Sequence, residues 1–296
     1  MLQMILFPSS YSGISRVDED LQKEYDAAAN TGLYELCLFG YDKWFRQGQL
    51  TLSHRPEKPA AAVYRGWMMK PEQYEQFYQQ LSDNNIQLIT SPDEYRKFHV
   101  FPDIYPMLSD DTAGMILFPE GTAVDLSAVR KRFERFMVKD YVKSVKGTKF
   151  PSCFDNTITQ DEFDDQMEIF YKYRGGLFTG GICIKEFLDL RKYHSRTNEY
   201  RVYYINHETA AVSRNSGQGS FTPEPPAELL VKYRNLPSPF YTIDYAELTD
   251  GSWKIIEAGD GQVSGLSEGQ DHEAFFRALH QCFKEAEQLT GVSGNT

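Results

Sequence analysis

The sequence predicts two folds in series: an α/β domain over residues 1–124 and an α+β domain over residues 125–296 built on an antiparallel sheet. Three observations carry this. Short apolar runs alternate with helix-patterned segments early in the chain, the signature of strands joined by crossover helices. Beyond residue 180 the apolar runs follow one another across short turns, which implies antiparallel pairing. The chain's 296 residues suffice for one large or two ordinary domains, and its 41% hydrophobic and 14% aromatic content is that of a globular protein.

Taken in order, the first strand is Met4 to Phe7, followed by candidates at Tyr34 to Phe39, Ala61 to Tyr64 and Ile86 to Ile89. Between the last two, Pro71 opens a segment in which Tyr74, Phe77, Tyr78 and Leu81 fall at i, i+3, i+4 and i+7, one buried helix face. The loop after the first strand, from Pro8 to Gly13, has no glycine fingerprint, so a dinucleotide site is not indicated. From Asp125 a helix bearing Leu126, Val129, Phe133 and Phe136 leads into a lysine-rich stretch from Lys139 to Gly147. With a second helix opened by the capping pair Thr159 and Glu162, residues 125–184 form a small lysine-bearing subdomain. The strands Gly181 to Leu188, Glu199 to Ile205, Ala210 to Arg214, Phe240 to Leu248 and Trp253 to Ala258 build the sheet of a second subdomain, 185–290. A helix bearing Phe275, Phe276, Leu279, Phe283 and Ala286 closes it, and residues 290–296 are expected to fray.

Charge and composition exclude several classes. Against 42 acidic residues there are 31 Lys and Arg, a net charge of −11, which argues against coating nucleic acid or an anionic membrane. No apolar run approaches the ~18 residues of a bilayer span. The N-terminus lacks a basic region and meets Pro8 at once, so it reads as a strand and not a signal peptide. Cys37, Cys153, Cys183 and Cys282 are widely spaced, which suits reduced thiols and a cytoplasmic compartment. There is no phosphate-binding Gly-x-x-x-x-Gly-Lys loop, no His-Glu-x-x-His element and no nucleophile elbow, and Gly259 to Gly265 misses the dinucleotide spacing by one residue.

The most informative segment runs from Tyr241 to Asp260. Asp250-Gly251 between two alternating runs reads as a two-residue hairpin turn with positive φ at both positions. That turn sets Leu248 opposite Trp253, Glu247 opposite Lys254, Ala246 opposite Ile255 and Asp244 opposite Glu257. Two carboxylates directly across a ladder repel, so a buried pair demands a cation or a raised pKa. Asp260, three residues on, is a candidate third oxygen donor, and the set suits a hard ion such as Mg²⁺. The alternative is a solvated pair of strand-end acids. Positive charge comes from Lys139 and Lys143 and from Lys185 inside an apolar strand, although lysines at 139, 143, 146 and 149 also fit an exposed helix stripe. Glu199 and Arg201 share one strand face, as phosphate-side groups or as a surface ion pair.

These residues, in this order, resemble the ATP-grasp superfamily, and within it the clade distinguished by one arginine and two lysines. The resemblance runs from about Asp125 to Leu266. It implies a pre-ATP-grasp domain at the N-terminus and a phosphate-contacting lysine, matched by Lys139, before a small loop with Lys143 and Ser144. It implies a hinge element matched by Lys185, Glu186, Phe187 and Leu188, and a γ-phosphate arginine matched by Arg201 in Glu199-Tyr-Arg201-Val. Asp244 and Glu257 match the paired magnesium ligands, with Asp260 in place of the usual Asn. Lys139 and Arg201 would then be catalytic, with ATP and Mg²⁺, or Mn²⁺, as cofactors. The implied reaction joins a small-molecule or peptide carboxylate to an amine or thiol through an acylphosphate. Phosphotransfer, or nucleotide binding without chemistry, are the alternatives. Arg65 and Arg174, beside glycines, are candidates for holding the substrate carboxylate, or else fix their own loops.

Overall fold

The computed structural model describes residues 2–11, 13–145 and 147–291; Lys146 and the tail residues 292–296 lie outside it. Its first layer is a parallel sheet of four strands in the order β2-β1-β3-β4, with β1 at Leu2–Pro8, β2 at Glu35–Phe39, β3 at Ala60–Tyr64 and β4 at Ile86–Leu88. The strands are continuous apolar runs because helices cover the sheet. Met4, Ile5, Leu6 and Phe7 are fully buried. The helices are α1 (Gln22–Thr31), α2 (Tyr41–Gln47) and α3 (Pro71–Ser82), and α3 buries the predicted face of Tyr74, Phe77 and Leu81 with Pro71 in its first turn.

Two further helices, α4 (Pro92–His99) and α5 (Phe101–Leu108), carry the chain to the rest of the molecule. Ser91 caps α4, accepting from the Glu94 amide, while Glu94 accepts from the Ser91 amide at 2.7 Å. Phe98 stacks on Tyr241 with centroids 4.7 Å apart, and Phe101, Ile104 and Leu108 join a core with Tyr204, Ile243, Tyr245 and Ile255.

The second sheet is antiparallel, in the order β5-β8-β6-β7: β5 Met115–Pro119, β6 Arg135–Asp140, β7 Phe154–Asp155 and β8 Gly181–Glu186. Its edge strand β5 precedes residue 125, where the sequence pattern changes. The helix expected through Phe136 is shorter, α6 (Leu126–Arg130), and Phe136 lies on β6. All four apolar residues still enter one core, so a short helix followed by a strand satisfies the same spacing. The helix α7 (Gln160–Arg174) opens on the Thr159–Glu162 capping box. Among the described residues of the stretch 139–149 there is no helix, which removes the helix-stripe reading of the lysines.

The third sheet, order β12-β11-β13-β14, follows the small hairpin of β9 (Lys192–Tyr193) and β10 (Arg196–Thr197). Its strands are β11 Glu199–Ile205, β12 Glu208–Arg214, β13 Phe240–Glu247 and β14 Trp253–Asp260, with α8 (Ala227–Lys232) between β12 and β13. One face packs on α4 and α5, and the other on α9 (His272–Gly291) through Tyr203, Phe240, Phe275 and Phe276.

The hairpin of β13 and β14 corrects the predicted register. Only Gly251 of the expected pair has positive φ, at 87°, and the Gly251 amide donates to the Leu248 carbonyl at 2.9 Å. The Leu248 amide donates to Ser252, so the loop has three residues, a turn followed by a left-handed glycine. Pairs near the turn therefore shift by one: Glu247 faces Trp253, Ala246 faces Lys254 and Tyr245 faces Ile255. A β-bulge at Ile256 then absorbs the difference, and Asp244 faces Glu257 as expected.

Candidate active site

Between the second and third sheets lies a cleft of ≈ 1260 Å³ lined by Lys139, Lys143, Ser144, Lys185, Glu186, Phe187, Leu188, Glu199 and Glu257. Strand alternation explains why the two lysines meet there. Met137 pairs with Lys185 and Lys139 with Cys183, so both lysines share one face, while Phe136, Val138, Ile182 and Ile184 fill the core behind it. Lys139 is 7% and Lys185 4% exposed. Both ammonium groups lie over the ring of Phe101, Lys139 at 5.6 Å and Lys185 at 4.5 Å from its centroid.

The two lysines are in different electrostatic states. Burial pulls down the charge of Lys139, but Glu257, whose Oε1 accepts from Nζ at 2.9 Å, outweighs it and the pKa is raised. For Lys185, burial and then repulsion from Lys139 push the pKa down to about 8. Its Nζ donates at 2.6 Å to the carbonyl of Ile256, the extra residue of the bulge.

Across the cleft, Arg201 on β11 pairs with Asp244 on β13. Its Nε and Nη2 donate to the two carboxylate oxygens at 2.8 and 2.7 Å, and Nη1 donates to the Gly265 carbonyl at 3.0 Å. Burial opposes the guanidinium charge, yet Asp244 holds its pKa above the ordinary value. The repulsion expected between Asp244 and Glu257 is thus answered by a cation for each, Arg201 and Lys139. The acids remain face to face, and two carboxylates with nucleotide phosphates suffice to hold Mg²⁺.

Three candidate residues are placed otherwise. Asp260 does not join the acid pair: an odd step of three along a strand turns it to the other face, and no group of three metal-binding side chains occurs among the described residues. Arg65, 2% exposed, is committed to internal partners. It donates to Glu24 at 2.9 and 2.7 Å, to Ser264 at 2.9 Å and to the Gly261 carbonyl, clasping the 261–265 loop. Arg174 donates to Asp140 at 2.6 Å, whose other oxygen accepts from the amides of Val142 and Lys143 at 2.8 and 2.6 Å. It fastens the base of the Lys143 loop.

Sequence reasoning missed Phe101, His99 and Asn215. Asn215 donates to Asp244 at 3.4 Å. The Ser91-Pro92-x-Glu94 capping pattern was the available signal for α4, and α4 with α5 brings His99 and Phe101 to the site.

The strands bearing Lys139, Lys185, Arg201, Asp244 and Glu257 all lie within residues 126–279, the segment that matches an ATP-grasp domain, the third family of its clade. The chain belongs to this ATP-grasp family. No curated relative matches it in sequence. The same ATP-grasp fold is found in D-cycloserine synthetase DcsG (TM-score 0.61, 13% identity, covering 94% of this chain and 99% of that one). It is also found in the ATP-grasp ligase PsnB complexed with a minimal precursor (0.60, 13%, covering 96% and 99%). The D-alanine-D-alanine ligase of Coxiella burnetii is similar as well (0.58, 11%, covering 99% and 100%). Among the described residues no helix is long and apolar enough to cross a membrane.

Proposed function

We propose that the protein is an ATP- and Mg²⁺-dependent ligase that joins a small-molecule or peptide carboxylate to an amine, or to a thiol, through an acylphosphate. The observation that carries this reading is one cleft in which two buried lysines on one sheet face an arginine and two opposed carboxylates on another. Membership of the ATP-grasp family supports ATP as the nucleotide. The neighbouring structures are named as ligases, in one case complexed with Mg and ADP, which supports ligation over phosphotransfer.

In this reading Lys139, Lys185 and Arg201 are the two lysines and one arginine of the clade. Lys139 and Lys185 hold phosphate oxygens of ATP, with Lys143 and Ser144 closing over them. Glu186, Phe187 and Leu188 border the adenine end. Arg201 neutralises charge on the transferring phosphoryl group, which is worth most where water is excluded. Asp244 and Glu257 would hold Mg²⁺, or Mn²⁺, which when bound supplies Lewis-acid neutralisation of phosphate oxygens. The substrate carboxylate then attacks the γ-phosphorus, ADP departs, and the amine displaces phosphate from the acyl carbon.

The test is product analysis with ATP, Mg²⁺ and mixtures of carboxylates and amines. ADP and inorganic phosphate should appear only with both substrates, and hydroxylamine should give a hydroxamate. A stable phosphorylated product without free phosphate would make the protein a phosphotransferase instead.

A further inference from the structure

Beside the nucleotide cleft is a smaller cavity of ≈ 220 Å³, and Lys143 and Glu257 line both. Arg201 and Asp244 form part of its wall, which sets it against the phosphate end of the site. Two buried polar atoms of lining residues have no hydrogen-bond partner: Oδ2 of Asp260 and Nδ1 of His99. These residues are 1% and 8% exposed, so water does not compensate them from outside.

Neither group is free to turn towards another partner. The Oδ1 of Asp260 accepts from the Gln262 amide at 3.0 Å and is 3.4 Å from its Nε2. The His99 ring stacks on Tyr95 with centroids 5.0 Å apart, and Tyr95 on Tyr74 at 3.9 Å. Asp244 and Glu257 have Arg201 and Lys139 as counter-ions, whereas Asp260 makes no ion pair among the described residues. A buried carboxylate oxygen without a donor is costly. Burial, with Lys143 and Arg174 nearby, pushes the His99 pKa down to about 4, so the imidazole is neutral and carries a lone pair on one nitrogen.

We propose that this cavity is the nucleophile subsite and receives a small primary amine, whose N–H groups are taken by Asp260 Oδ2 and His99 Nδ1. The inference rests on the ligase reading and specifies its second substrate: an amine with a compact head group. The volume equals that of about seven waters at ~30 Å³ each, enough for a small molecule and too little for a folded or bulky group.

The probe is methylammonium chloride, titrated by saturation-transfer NMR into protein loaded with Mg²⁺ and ADP. Tetramethylammonium, which has no N–H, is the control. Methylammonium should bind saturably and tetramethylammonium should not. Asp260→Asn should weaken methylammonium at least tenfold while leaving Mg·ADP affinity unchanged. His99→Phe, which retains the stack on Tyr95, should weaken it several-fold and keeps the test open if the Asp260 variant does not fold. Absent binding in the wild type, equal binding of the two cations, or undiminished binding in both variants would overturn the subsite while leaving the nucleotide site standing. Failure of the wild type to bind Mg·ADP would instead overturn the ligase reading beneath it.

Discussion

Replacing Lys185 with Met should make the nucleotide-free protein more stable while removing its response to nucleotide. The ordinary lysine pKa of 10.5 falls to about 8 in the fold. The unfolded chain therefore binds more protons than the native one between those values, and stability rises with pH across that window. Below pH 8 the whole penalty is present. At ~1.4 kcal/mol per unit it is on the order of 3 kcal/mol. Loss of the hydrogen bond to the Ile256 carbonyl returns about 1 kcal/mol or somewhat more, leaving a net gain of about 1 to 2 kcal/mol at pH 7. For a chain of this size that is a rise in Tm of a few degrees. Thermal melts with and without Mg·ADP measure both effects, and the gain should shrink at pH 10. A variant that melts several degrees below the wild type without nucleotide, or whose melting temperature still rises fully with Mg·ADP, would refute the reasoning.

Because phosphate raises the pKa of the lysine beside it, Mg·ADP binding at pH 8.5 should take up a fraction of a proton, seen as a buffer-dependent calorimetric enthalpy; Lys185→Met should abolish that dependence. Glu257→Gln should lower Mg-dependent nucleotide affinity at least tenfold by calorimetry, whereas substituting exposed Lys149, outside the cleft, should change it less than twofold. Arg65→Ala leaves Glu24 buried without its counter-ion and should cost about 3 to 5 kcal/mol by urea denaturation. Gly251→Ala meets no neighbouring atom but keeps a φ of 87°, and should cost about 1 kcal/mol in the same assay.

What the sequence disclosed depended on how locally each feature is encoded. The opposed acids were legible because one strand pair and one turn position them, and the two departures from the expected register offset each other. Lys185 stood out as a charge within an apolar strand, the pattern of a strand with one face on a cleft. Asp260 was misjudged because proximity in sequence was taken for proximity in space, although three steps along a strand reverse the face. Arg65 and Arg174 were ambiguous from sequence because their partners, Glu24, Ser264 and Asp140, lie 41, 199 and 34 residues away. Phe101 was invisible for the same reason: a ring becomes a seat for two ammonium groups only when α5 reaches a sheet formed by later residues.

The bulge at Ile256 has a consequence for chain length. Tyr245 pairs with Ile255 and Asp244 with Glu257, so Ile256 is outside the count on its strand. A chain lacking that residue would keep every pair in β13 and β14, and each side chain would stay on its present face. The ladder is in this sense indifferent to a one-residue deletion here. The second sheet is not, because the carbonyl that anchors Lys185 belongs to the supernumerary residue. A single-codon deletion at this seam would therefore separate two requirements that point substitutions confound, preserving strand register while detaching one lysine from the opposite wall.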